Sequence, residues 1–126
     1  DAEQYCREAN QATMLVLKIE SRKGVENAEQ LIANEHVDGV IFGPGDLAAS
    51  MGFHGGWQHP EVLSAMESVI EIALANGVAV EPAEFPSNKT EYERQKERGI
   101  QLFGPTRETE YQLLRSAAER ALDAYR

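Results

Sequence analysis

The sequence predicts an α/β fold built on parallel strands. Short runs rich in Val, Ile and Leu alternate with stretches whose apolar residues recur at helical spacing. The runs read as continuously apolar, as strands buried on both faces do. Each pair of runs is separated by a helical stretch, which is what crossovers between parallel strands demand. Such crossovers are right-handed almost without exception.

In chain order, residues 1–9 are polar and helix-compatible, with Asn10 as a stop. Residues 13–20, TMLVLKIE, read as the first strand. SRKGVENAEQLIANEH follows, with Val25, Ala28, Leu31 and Ile32 spaced for one short helix. Residues 37–43, VDGVIFG, form the second strand. The long loop PGDLAASMGFHGGWQHP comes next, with a helical turn expected from Asp46. Pro60 fits a first helical position. Val62, Leu63, Met66, Val69, Ile70, Ala73 and Leu74 make a wide apolar stripe through a helix to Asn76, and Gly77 is its stop. VAVE, residues 78–81, is a third strand and PAEFPSN a loop. Residues 90–98 read as a polar helix stopped by Gly99, and residues 100–104, IQLFG, as a fourth strand. Residues 108–125 form the last helix, with Tyr111, Leu114, Ala118 and Leu122 along one face. No repeat, linker or low-complexity tract breaks this order, so residues 1–126 read as a single domain. Four βα units make either an open sheet or half of a closed (β/α)8 barrel.

The formal net charge of -9 argues against nucleic acid and against anionic membrane surfaces, both of which recruit basic patches. The hydrophobic content of 42% is that of a folded chain. A single cysteine, Cys6, excludes a disulfide framework and disfavours a cysteine metal site, so a reducing, cytoplasmic setting is expected. No apolar run approaches the roughly 18 residues of a membrane span, and no signal-peptide layout is visible. The chain opens on Asp1 rather than Met, with a pattern like the tail of a helix, as expected of a piece of a longer protein.

Ligands gather at the carboxyl ends of parallel strands in either architecture. Strand one ends in Glu20, strand two in Gly43-Pro44-Gly45-Asp46 and strand three in Glu81, with Glu84 in the loop beyond. Strand four ends in Gly104-Pro105-Thr106-Arg107. Neighbouring strands lie about 4.8 Å apart, so Glu20 and Asp46 repel unless a cation joins them or one stays protonated. Two carboxylates beside open positions suit a hard, hydrated divalent ion such as Mg²⁺ or Mn²⁺. The structural alternative is that Asp46 caps the turn DLAAS and Glu20 pairs with Arg22 or Lys23 at the surface. Gly45 lacks a Cβ, and its N–H and that of Asp46 lie near a helical start, where anions are favoured. A metal carboxylate beside such amides suits a small α-keto acid. His36, His54 and His59 are scattered without metal-ligand spacing. His36 precedes its strand at the wrong end, and His54 and His59 share the glycine-containing loop with Trp57. No P-loop, GxGxxG or GxSxG motif is present.

LKIESRKGVENAEQLIANEHVDGVIFGPGDLAASMG, followed by QHPEV, resembles the second half of the HpcH/HpaI aldolase and citrate lyase family, the class II pyruvate aldolases. Members include 2-dehydro-3-deoxyglucarate aldolase and 4-hydroxy-2-oxoheptanedioate aldolase. The likeness is strong over residues 15–77 and loose afterwards. It implies the C-terminal half of a (β/α)8 TIM-type barrel. It further implies that Glu20 and Asp46 bind a Mg²⁺, Mn²⁺ or Co²⁺ ion and that the N–H groups of Gly45 and Asp46 hold a pyruvate carboxylate. The implied reaction cleaves a 2-keto-3-deoxy or 4-hydroxy-2-oxo acid to pyruvate and an aldehyde through a metal-stabilised enolate, in a homo-oligomer. A citrate- or acyl-CoA-directed lyase of the same family is one alternative, and a non-catalytic half-barrel serving assembly is another. The family's catalytic His and substrate-binding Arg belong to the preceding half of the barrel, so no catalytic residue is assigned here. The third strand departs from the family's small apolar residues, because Glu81 and Glu84 add negative charge near an anionic substrate.

Overall fold

The computed structural model describes residues 1–104, 110–123 and 125. Its elements are α1 (Ala2–Ala12), β1 (Val16–Ile19), α2 (Arg22–Glu26), α3 (Ala28–Ile32), β2 (Gly39–Phe42) and α4 (Pro44–Ser50). They continue with α5 (Pro60–Ala75), β3 (Ala79–Val80), α6 (Lys89–Arg98) and α7 (Glu110–Asp123). The strands form one parallel sheet in the order β1-β2-β3. Val16 stands opposite Gly39 and Ile19 opposite Phe42, while Val40 stands opposite Val80. The chain is thus an α/β protein built of parallel βα units.

Side chains alternate across a strand, so this register sorts the sheet into two faces. Ile19, Val40, Phe42 and Val80 are buried in the core, together with Val62, Met66, Val69, Ile70 and Ala73 of α5. Those α5 residues recur at intervals of one, three and four, which is one helical stripe. By the same alternation the opposite face carries Val16, Lys18 and Glu20, then Gly39, Ile41 and Gly43, then Ala79 and Glu81. β1 is therefore not buried on both faces as its apolar run predicts, since Val16 and Lys18 are exposed. Helices of the described chain cover one side of the sheet and leave the other for the strand-end side chains.

Local chemistry sets the boundaries. The stretch after β1 forms two short helices rather than one, separated at Asn27, which leaves helical geometry and bonds its side-chain amide to the Lys23 carbonyl at 2.7 Å. Pro60 opens α5, and Gly77 follows it in the left-handed region with φ 70°, a geometry that favours glycine. β3 stops after Val80, where the next donor of β2, Phe42 N–H, turns to the Glu81 side chain. The expected fourth strand is not formed. Gln101 and Leu102 both donate to the Val80 carbonyl, at 3.3 and 3.2 Å, so residues 100–103 lie beside β3 without a ladder. Ile100 is nonetheless buried. On α7, Leu114 and Leu122 of the expected apolar face are exposed. The expected strand end Pro105-Thr106-Arg107, the start of the last helix at residues 108–109 and the side chain of Tyr111 lie outside the described residues. Among the described residues no helix is long and apolar enough to cross a membrane.

Met66 is fully buried where α5 meets the sheet. Met66→Ala is expected to cost about 2–5 kcal/mol, read as a lowered urea midpoint. An unchanged midpoint contradicts this packing.

Candidate functional site at the strand carboxyl ends

Because the three strands are parallel, Glu20, Gly43 and Glu81 follow their strands at one edge of the sheet. Alternation then turns all three to the face that carries Lys18. The Glu20 carboxylate accepts from the Lys18 ammonium, Nζ to Oε2 at 2.9 Å, with both side chains about half exposed at 46% and 52%. Gly43 is the residue that lets this pair form. A Cβ there would stand 2.7 Å from Glu20 Cβ, 2.8 Å from Glu20 Oε2 and 3.0 Å from Lys18 Cε. The main chain holds the glycine in that position, since its N–H donates to the Ile19 carbonyl at 3.0 Å.

Lys18 senses the whole edge. Its pKa is raised above 10.5 first by the hydrogen bond to Glu20 and then by the charge of Glu20; solvent loss opposes this, while Asp46 and Glu81 add smaller upward pulls. Glu20 and Asp46 are thus brought into the field of one ammonium. A group with a raised folded pKa stabilises fully below its unfolded value, and that contribution fades as pH rises through the folded one. The Lys18 pairing therefore persists at neutral pH.

The turn after β2 is built by its proline. Pro44 takes the first position of α4, which places Gly45 and Asp46 in its first turn. Leu47 N–H returns to the Gly43 carbonyl at 2.8 Å. Among the described residues the N–H groups of Gly45 and Asp46 have no protein acceptor. A Cβ on Gly45 would meet nothing within 4 Å, so the space above this backbone is open. The Asp46 side chain is exposed and does not cap the helix. The capping position belongs to Gly43, three residues earlier than the capping alternative requires. The other structural alternative also has the wrong partner. Arg22 does not pair with Glu20 but donates from Nη2 to the Met51 carbonyl at 3.1 Å, and its N–H donates to Ser50 Oγ at 3.1 Å.

Glu81 is more than added charge. Its Oε1 accepts from Phe42 N–H at 2.5 Å. In the parallel ladder Glu81 N–H donates to the Val40 carbonyl, and Phe42 N–H is the next donor in line. The Glu81 side chain takes that donor and extends the pairing of β2 up to Gly43. Glu84 is exposed on a cleft of about 600 Å³ with Trp57, Phe85, Tyr92 and Phe103, and none of Glu20, Gly45 or Asp46 lines it. His36 is exposed away from the edge. His59 caps α5, accepting from Glu61 N–H at 3.3 Å, and stacks on Phe53 at 3.8 Å. His54 is exposed.

Among the described residues no three His, Cys, Asp or Glu side chains gather to hold a metal ion. The donor set at the edge is carboxylate oxygen, which suits a hard divalent ion that keeps most of its water. Lys18 and Gly43 are the site residues that the motif reading passes over. Both carry a sequence signal: a lysine two residues before Glu20 in an otherwise apolar strand shares its face, and a glycine directly opposite marks close approach.

Residues 1–104 match the family described as HpcH/HpaI aldolase/citrate lyase. A 4-hydroxy-2-oxo-heptane-1,7-dioate aldolase of Salmonella paratyphi B is 41% identical over 75 residues, 60% of this chain and 28% of that enzyme. The solved structure of an HpcH/HpaI aldolase/citrate lyase family protein from Burkholderia cenocepacia J2315 superposes with a TM-score of 0.79 at 32% identity, covering 96% of this chain and 46% of that one. An HpcH/HpaI aldolase from Desulfitobacterium hafniense DCB-2 gives 0.76 at 26% identity, over 99% of this chain and 47% of that one. The chain thus spans under a third of this curated relative and about half of each of these solved structures.

The two glycines at the edge are expected to respond unequally in urea unfolding. Gly43→Ala forces Glu20 and Lys18 aside and costs about 1–3 kcal/mol, whereas Gly45→Ala stays within about 0.5 kcal/mol of wild type. Equal effects would mean that Glu20 does not lie across Gly43.

Proposed function

The chain belongs to the HpcH/HpaI aldolase/citrate lyase family, and on that footing we propose that it is the C-terminal half of a divalent-metal-dependent carbon–carbon lyase. The substrate class is a 4-hydroxy-2-oxo or 2-keto-3-deoxy acid, and the products are pyruvate and an aldehyde. Glu20 and Asp46 are the two protein ligands of the ion. Mg²⁺, Mn²⁺ or Co²⁺, when bound, supplies Lewis-acid polarisation of the keto oxygen. The residues of this chain bind and orient. The N–H groups of Gly45 and Asp46 take the substrate carboxylate, and the open space above Gly45 admits it. Glu81 fixes the peptide that leads into this turn.

The observation that carries the reading is the Glu20 carboxylate, held at 2.9 Å from the Lys18 ammonium at the carboxyl edge of a parallel sheet, with the exposed Asp46 and the open Gly45 backbone following the neighbouring strand. An edge with that charge arrangement attracts cations. His59 is engaged at the start of α5, where it accepts from Glu61 N–H and stacks on Phe53. The resemblance to the family implies that its catalytic His and substrate-binding Arg belong to the preceding half of the barrel, so the acid–base half of the chemistry is assigned there and the working enzyme to the full barrel in an oligomer.

The test is Mn²⁺ titration of the full-length protein, with and without pyruvate. Glu20→Gln and Asp46→Asn are each expected to weaken Mn²⁺ binding on the order of 100-fold or more, beyond what supporting residues of metal sites usually cost. Pyruvate is expected to tighten Mn²⁺ on wild type. Unchanged affinity in both variants would overturn the site and favour a non-catalytic assembly role.

A further inference from the structure

We propose that Lys18 is a built-in counter-cation that holds the Glu20 carboxylate when no divalent ion is present and competes with the ion for it, so that Lys18 sets how tightly the metal is held. The inference rests on the metal-site reading above and adds to it a positioning residue.

The geometry assigns this role. Lys18 lies one pleat before Glu20 on the same face of β1 and places Nζ 2.9 Å from Glu20 Oε2. Its stem crosses the notch left by Gly43, which any Cβ would close at 3.0 Å from Cε. The ammonium is thus delivered to the same carboxylate that the ion would ligate. A Mg²⁺-sized ion bonds such an oxygen at about 2.0–2.1 Å, close enough for strong repulsion of an ammonium on the same atom. Binding of the ion must therefore move Lys18 off Oε2 or proceed against its charge.

The carboxylates of the edge also need this cation. Glu20, Asp46 and Glu81 all bear on Lys18, and Glu81 is already committed to the Phe42 N–H. Without Lys18, Glu20 has no opposite charge to keep it over Gly43. The other nearby basic residues do not replace it. Arg22 is engaged by the Met51 carbonyl, and the Lys23 side chain makes no ion pair among the described residues. A role in packing alone predicts that removing Lys18 loosens the site. A competing cation predicts that removing it tightens the metal.

The experiment is Mn²⁺ titration of the full-length protein by electron paramagnetic resonance, following free Mn²⁺. Lys18→Met keeps the stem and removes the charge, Lys18→Gln provides a polar variant, and Lys23→Met is the control. Both Lys18 variants are expected to bind Mn²⁺ about tenfold more tightly, from the loss of one adjacent charge. Lys18→Arg is expected to stay near wild type, as is Lys23→Met. Affinity that is unchanged or weaker in the Lys18 variants, or raised equally by Lys23→Met, overturns the proposal. Glu20→Gln and Asp46→Asn, measured alongside, separate the two readings. If they weaken Mn²⁺ while the Lys18 variants do not tighten it, the metal site stands and only the competition fails.

Discussion

The in-register parallel pairing of β1, β2 and β3 is the constraint on which the rest of this molecule depends. It sets Ile19 opposite Phe42 and brings Glu20, Gly43 and Glu81 out at one edge on one face. A slip of one residue would turn Glu20 to the opposite face from Gly43. It would also bring Lys18 and Glu20 into the helix-covered core, where unpaired charge is costly. The core and the site therefore specify the same register. Val40 and Val80 are buried on the helix-covered side, and the charged residues occupy the other.

Within that frame the edge is a problem of charge placement. Three carboxylates crowd the ends of adjacent strands, and each is managed differently. Glu81 spends its oxygen on a backbone donor of β2. Glu20 lies across a glycine and takes the Lys18 ammonium. Asp46 stays exposed in the first turn of α4, beside two N–H groups that have no protein acceptor among the described residues. Carboxylates and open backbone N–H groups thus stand side by side, the combination on which the proposed metal and keto-acid site rests. The cleft around Trp57 and Tyr92 is more enclosed by aromatic side chains but carries no comparable arrangement of charge.

Much of this was legible in the residues, and the misreadings have identifiable causes. The βα rhythm located β1, β2, β3 and α5 because apolar runs and a helical stripe are local signals. Glu20, Gly45 and Asp46 could be placed at one edge because parallel strands share a polarity. The start of α4 was set two residues too late, since Asp46 is a good cap by type whereas Pro44 fixes the first helical position by geometry. The fourth strand failed because pairing is not a local property: the run 100–103 is apolar, yet Val80 offers it one carbonyl for two donors. Burial on both faces was misread for β1 because Lys18 sits inside an apolar string whose alternation is hidden by Val16 and Leu17. The surface-pairing alternative names Arg22 and Lys23, which follow Glu20, whereas its partner lies two residues before it on the same strand face.

The central claim is that a divalent ion is held at the edge formed by Glu20, Gly43, Gly45 and Asp46. The most direct measurement is the paramagnetic broadening of backbone amide NMR signals of the full-length protein at substoichiometric Mn²⁺. The account predicts that the amides of Glu20, Gly43, Gly45 and Asp46 vanish first, with those of Phe42 and Glu81 close behind. Those signals remaining sharp while amides around His36, or around Glu84 and Trp57, disappear would contradict it.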